Sequence, residues 1–570
     1  MKTYVAIAIS LLFIFSCSTK RNEEYKLGQL TFEVTGLDEA KPSFRFGHLL
    51  LHSFEYQDAA EAFQEAQKID PDFTMAYWGE AMTYNHSIWQ EQDFDMGKST
   101  LLKLGETPEA RIEKAKTELE KDFIRAIEIL YGEGTKANRD KAYADYMGKL
   151  YERYPNNHEV ASFYALALLG SVTVGRSTEV YQQSARISEK IMKDNPNHPG
   201  ALHYFIHAND DPYHAGEAVL VANEYAVVAP DAAHALHMPT HIYLALGMWD
   251  KVISSNEVSW QASVNRKERK SLTNDALGYH SYHWLQYGYL QQGRVEDARK
   301  TLENMMGYCA ELSSARARTH EIFLKSTYLV ETEDWGSTFS SKPTDTEGLN
   351  ILTRSMETFV KGMKSYHAKD KNTLEALILE MEKERQLESA KISDAGIALC
   401  NGGGASRENA TELDINLSHV IEMELRAMRA WMQNDLVAVE KWLQDAAKLE
   451  ENVSYSYGPP AVVKPSHELY GEFLVFVNRA KDAVTQFDKA LQLAPKRILS
   501  LRGKLKAATL LNDTQLMNEL EKQIQEIVKT PSAQQVALAG LVPASLDRAH
   551  KMGIAASRLR RDEDRRTPTF

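Results

Sequence analysis

Leu202-His203-Tyr204-Phe205-Ile206-His207 and Leu236-His237-Met238-Pro239-Thr240-His241 overlay at a constant offset. Pro196 and Pro230 are 34 residues apart, and so are His203 and His237, and His207 and His241. A fixed period of this length marks stacked supersecondary units, each burying its apolar face against its neighbours. Within each copy the two histidines are spaced i, i+4 and share one helix face. Stacking then sets the second pair beside the first. Pro239 lies between His237 and His241, lacks an amide proton and crowds the carbonyl of Ala235, so that helix should kink or start late.

The same period extends in both directions. Glu55 to Pro71 has Ala59, Phe63 and Ala66 at small-large-small spacing, and Pro71 closes it. Phe46-Gly47 and Leu50 stand in the helix before it. Arg479 to Pro495 repeats the arrangement with Ala483, Phe487, Ala490 and Pro495. Small residues let the paired helices approach, and the phenylalanine fills the space between units. These segments resemble the second helix of the tetratricopeptide (TPR) repeat. The resemblance implies an all-α, right-handed α-solenoid over most of the chain, with the first helix of each unit lining a concave groove. Met75-Ala76-Tyr77-Trp78-Gly79-Glu80-Ala81, His237-Met238-Pro239-Thr240-His241 and Lys464-Pro465-Ser466-His467-Glu468-Leu469-Tyr470-Gly471-Glu472 also resemble a group of histidine-rich bacterial TPR proteins. That resemblance implies a fold and no reaction.

At 570 residues the chain is too long for a single core, and its formal charge of −13 argues against a nucleic-acid partner. Residues 1–16 read as a signal peptide: Lys2, then an apolar run to Phe15. Ile14-Phe15-Ser16-Cys17 resembles a bacterial lipobox, which implies that Cys17 is lipidated and anchors the protein in the cell envelope, at the outer membrane rather than the inner. Residues 17–39 then form a tether. The first array spans 40–335, with a helical insertion at about 88–134 that includes one amphipathic helix, Pro108 to Tyr131. A polar linker follows at 336–350, a second array at 351–530, and a last helix with a charged tail at 531–570. Asn401-Gly402-Gly403-Gly404 reads as a loop. Cys309 and Cys400 lack metal or redox spacing. Glu424, Glu468 and Glu472 fall at equivalent groove places, followed by Arg502 and Lys506, and read as a solvated charged surface or as one that selects a partner of complementary charge.

Phasing the units by their packing residues puts His48, His52, Trp78, His86, His203, His207, Asp210, Asp211, His234, His237, His241, His280, His283 and Tyr287 on the inner wall, and His320 if Trp335 marks a turn. More than half of the eighteen histidines fall there. Lone histidines such as His158, His198, His367, His419 and His550 read as ordinary hydrogen-bonded residues. Three uses fit the converging set. A scaffold could hold a peptide, protein or small ligand against imidazoles and aromatic rings. His203, His207, His237 and His241 could bind zinc, iron or copper, with or without enzymatic chemistry. A histidine near Asp210 or Asp211 could act as acid or base without a metal. No glutamate follows His203 or His237, which excludes the metalloprotease motif. The sequence reading favours a non-enzymatic envelope scaffold, with a metal-dependent protein second and a structural assembly factor third.

Overall fold

A computed structural model describes residues 25–392 and 409–529. Cys17, the signal peptide, the glycine loop, Cys400 and the tail lie outside the described residues. The protein is an all-α solenoid of TPR-type helix pairs, with nearly every helix packing on the next in the chain. A two-residue hairpin, Asn85–His86 with Glu91–Gln92, is the only sheet among the described residues. None of the described helices is long and apolar enough to cross a membrane.

The wedge residues do what their spacing predicts. Phe63, fully buried, sits between two glycines, and a Cβ would come within 3.1 Å of its ring at Gly47 and 2.4 Å at Gly79. Phe487 stands in the same way between Gly471, at 2.8 Å, and Gly503, at 2.4 Å. One aromatic ring thus locks a unit to its successor because neither facing helix carries a side chain there.

Several boundaries differ from the sequence reading. The expected helix Pro108 to Tyr131 divides into Pro108–Lys114 and Glu118–Leu130. Thr117 and Glu120 make a reciprocal capping box, which starts a new helix inside the apolar pattern. From Leu27 onward the expected tether is packed: Leu27 and Leu30 are buried, and the amide of Gln29 donates to Asn197 O at 2.9 Å. Alternating apolar side chains give this arm a face to bury. The expected linker is also held in place. Lys325, fully buried, donates to Lys342 O at 3.1 Å and to Thr344 Oγ1 at 2.7 Å. Pro239 acts as expected, with Ala233–His237 ending and Pro239–Ala245 beginning on either side of Met238.

The solenoid turns back on itself. Trp249 Nε1 donates to Lys496 O at 3.2 Å, and the amide of Ile498 donates to Gln291 Oε1 at 2.9 Å. At this closure Arg497, with no exposed surface, donates to both carboxylate oxygens of Glu468 at 2.8 and 3.1 Å, to Tyr287 Oη at 3.0 Å, and to Glu331. Glu424 and Glu468 are therefore buried rather than solvated. The curvature that brings the last units onto the middle ones removes them from water, which their sequence spacing does not reveal.

Ser466 gathers two further acids. Its hydroxyl donates to Glu424 at 3.0 Å and its amide to Glu450 at 2.7 Å. Burial pushes the Glu450 carboxyl from the usual 4.5 up to about 7. A raised folded-state pKa means stabilisation that is complete below the unfolded value and is lost as pH rises through about 7. Glu450→Gln should therefore narrow the difference in thermal midpoint between pH 5 and pH 8. A difference as wide as in the wild type would show that Glu450 does not carry it.

Candidate metal centre

The helix Pro199–Ala208 begins with proline in its first turn, and the His198 side chain caps it by accepting from Ala201 N at 3.2 Å. His203 and His207 follow one turn apart, both buried. The broken helix supplies His234 and His237 before Met238 and His241 after it, and Tyr279–Gln291 supplies His280. The proline break does not take His237 and His241 out of i, i+4 register, because Met238 itself stays helical. The six rings form a chain of contacts. Centroids are 4.9 Å apart for His203–His207, 5.0 Å for His203–His234, 5.0 Å for His207–His241, 5.1 Å for His237–His241 and 4.8 Å for His237–His280.

The ring nitrogens divide into two classes. His203 Nδ1 lies 2.7 Å from His52 O, and His237 Nδ1 lies 2.7 Å from Asn256 Oδ1. His241 Nδ1 lies 2.9 Å, and His207 Nδ1 3.4 Å, from the same oxygen of Asp210. Each of these partners is an acceptor, so each Nδ1 carries the proton and each Nε2 presents a lone pair. The Nε2 atoms of His203, His207, His234, His237 and His241 are buried and have no hydrogen-bond partner. One donor atom each from His203, His207 and His234 lie within 4.8 Å of one another, and the same holds for His237, His241 and His280. A third grouping, His207, Asp210 and His241, links the two triads.

Electrostatics favour the neutral rings that metal binding needs. Burial, then neighbouring imidazoles, hold His203, His234 and His237 well below the ordinary histidine range. Burial brings His241 down to about 4 despite Asp210. Burial acts to raise Asp210, but Arg176 and the His207 and His241 donors outweigh it and keep the carboxylate well below its usual value. Arg176 Nη1 binds the other Asp210 oxygen at 2.6 Å. Asp210 is thus a fixed anion orienting two rings. Asp210→Asn should weaken metal binding about 10–100-fold, the usual cost of losing an outer-shell acceptor. Competition against a chromogenic chelator measures this, and unchanged affinity would remove Asp210 from the site.

A cavity of about 1440 Å³ adjoins the triads, with His234, His237 and His280 in its wall beside Glu55, Trp89 and Tyr457. Tyr457 comes from the second array. Its ring lies 4.9 Å from His241, and the adjacent Gly458, at φ +99°, packs against Trp284.

No family model matches the chain, and no curated protein matches it in sequence. Solved structures do. One is Cut9–Hcn1 from the APC/C hetero-tetramer, with 12% identity, covering 84% of this chain and 78% of that one, at a TM-score of 0.37. Another is yeast Tom70, with 12% identity, 86% and 93% coverage and a TM-score of 0.31. A monomeric IFIT1 mutant with Gppp-AAAA has 11% identity, 86% and 100% coverage and a TM-score of 0.34. At these values no ligand or activity carries over to this chain.

Of the other expected wall residues, His86 and His320 line the same cavity and the rest lie away from it. Trp78 is sealed in the core against Phe123 and Phe163, because the inserted helices cover it. His283 is half-buried, with Nε2 2.9 Å from Thr327 Oγ1, and Tyr287 meets Arg497. His86 lines the cavity but binds Thr83 O at 3.1 Å and Glu91 at 3.3 Å, and Asp211 pairs with His214 at 2.8 Å. His320 bonds Arg316 O at 2.8 Å. His48 and His52 converge on Glu159 in a group separate from the triads. Glu159, Arg176, Asn256 and Tyr457 were not read from the sequence. Asn256 and Glu159 do leave a trace: each is a polar residue on the buried face of its helix.

Proposed function

We propose that this is a metalloprotein whose two facing histidine triads hold a pair of divalent transition-metal ions at the wall of the cavity. The observation that carries the reading is the set of five buried Nε2 atoms with no hydrogen-bond partner, four of them on rings whose Nδ1 is fixed by an acceptor. Leaving a buried polar atom unpaired costs about 1–3 kcal/mol, so five together need a compensating ligand. Imidazole donors suit zinc, copper or iron and disfavour magnesium and calcium. Because three ligands face the cavity, a coordination position stays open to a ligand there, where an ion can polarise it or acidify bound water. This favours metal-dependent chemistry on a cavity-bound molecule. The peptide-scaffold reading has less support, since the five unpartnered Nε2 atoms are buried and not exposed to a docked chain.

The test is metal content of the full chain, prepared without a histidine tag and reconstituted with zinc, copper, iron or manganese. His207→Ala with His237→Ala, one ligand from each triad, should lower the bound metal by two equivalents. A wild type that binds less than one equivalent of every ion refutes the proposal.

The proposal extends to location. The apolar leader and Cys17 support export and lipid anchoring in a bacterial envelope. Labelling with a fatty-acid analogue should mark the wild type and not Cys17→Ala; equal labelling would argue against the anchor.

A further inference from the structure

We infer a second, closed metal site formed by His48, His52 and Glu159. The helix Lys41–His52 carries the two histidines one turn apart and faces the first turn of His158–Ser171. Glu159 has a side-chain exposure of 2%. Its Oε2 lies 2.9 Å from His48 Nε2 and 2.8 Å from His52 Nε2. Its Oε1 lies 3.1 Å from His198 Nε2, which fixes the carboxylate from behind. One donor atom from each of His48, His52 and Glu159 falls within 4.8 Å of the others.

Hydrogen bonding alone would be an adequate account if all three imidazoles donated to the carboxylate. His52 and His198 do. His48 does not: neither of its ring nitrogens makes a hydrogen bond, although Nε2 approaches Oε2 closely, because the approach is misaligned. Its side chain is 1% exposed, and the rings of Phe32, Phe44, Trp78 and Phe163 surround it. A polar ring sealed among aromatics, in close contact with a carboxylate but without a hydrogen bond to it, would be satisfied by an ion that both bind. Two imidazole nitrogens and one carboxylate oxygen form a donor set for zinc or a similar borderline divalent ion. They lack the oxygen ligands that calcium or magnesium would require.

Coordination needs the Nε2 lone pairs. His52 would move its proton from Nε2 to Nδ1, and His48 would present its Nε2. His52 Nδ1 would then donate to Tyr204 Oη, already 2.9 Å away. No residue of this set lines the cavity, so the ion would enter on folding and stabilise the closed array. The site also touches the triads: the backbone oxygen of His52 is the acceptor that holds His203 Nδ1.

The experiment uses the full chain carrying His207→Ala and His237→Ala, so that both triads are disabled, reconstituted with cobalt(II). One tight equivalent should remain, with the visible absorption of a low-coordinate cobalt centre. Adding His48→Phe, which suits the aromatic box, should abolish it. If that variant does not fold, Glu159→Gln keeps the hydrogen-bonding shape and should weaken cobalt binding more than tenfold. No retained cobalt in the triad-disabled chain, or equal retention after His48→Phe or Glu159→Gln, overturns the inference. Loss of the triad equivalents alone leaves this site standing, and loss of this equivalent alone leaves the triads standing.

Discussion

His207→Ala with His237→Ala strips two equivalents of metal from the protein and cancels most of its response to chelator. In the wild type, an ion present at a thousand times its dissociation constant stabilises the fold by about 4 kcal/mol. Removing two such ions should therefore lower the thermal midpoint by many degrees. The double variant loses that contribution in advance. In chelator it should nonetheless unfold close to the wild type. Each truncation leaves a small cavity, but it also deletes a buried Nε2 that metal-free protein leaves unpaired, worth about 1–3 kcal/mol. Thermal scans with and without chelator, alongside elemental analysis, give both numbers. If the variant responds to chelator as strongly as the wild type, the triads are not the stabilising metal site.

Arg497→Met should be the most damaging single substitution in the second array. Its guanidinium serves Glu468, Glu331 and Tyr287, which come from three different helices. Deleting one partner of a buried ion pair costs about 3–5 kcal/mol, because the remaining charge is stranded. Here Glu331 would lose its arginine, and Glu468 would fall back on Lys464, 3.2 Å away. Arg497→Lys should recover little, since one ammonium cannot replace a planar fork that bonds both Glu468 oxygens. Hydrogen exchange should show the loss first in Ser466–Phe476 and Ile498–Leu511, which lean on the closure. Because Tyr287 lies on the same helix as His280, the neighbouring triad should also bind metal more weakly. An unchanged exchange pattern would mean that the closure is held by apolar contacts alone.

The repeat and its wedges are local in sequence, and for that reason they were legible. Phe63 and Phe487 each sit a fixed distance from a closing proline, and the glycines they meet lie one helix before and one helix after. The histidine pairs share that regularity, but the structure divides the four-histidine set expected from the sequence, placing His203 and His207 in one triad and His237 and His241 in the other. His234 and His280 were read as wall residues, and they complete the two triads. Trp78 and His283 obey the same phasing, yet an inserted segment buries the first and Thr327 holds the second away from the site, neither of which the period encodes.

The sequence by itself determined the helical units, their order, the break at Pro239 and the face on which the paired histidines lie, because periodicity and proline act over a few residues. Only the tertiary structure decided that the array closes on itself, that Glu468 and Arg497 meet without water, and that Asp210, Asn256 and the carbonyl of His52 orient the rings. Those contacts join residues tens to hundreds of positions apart. They depend on small angles accumulated between successive units, which no local pattern records.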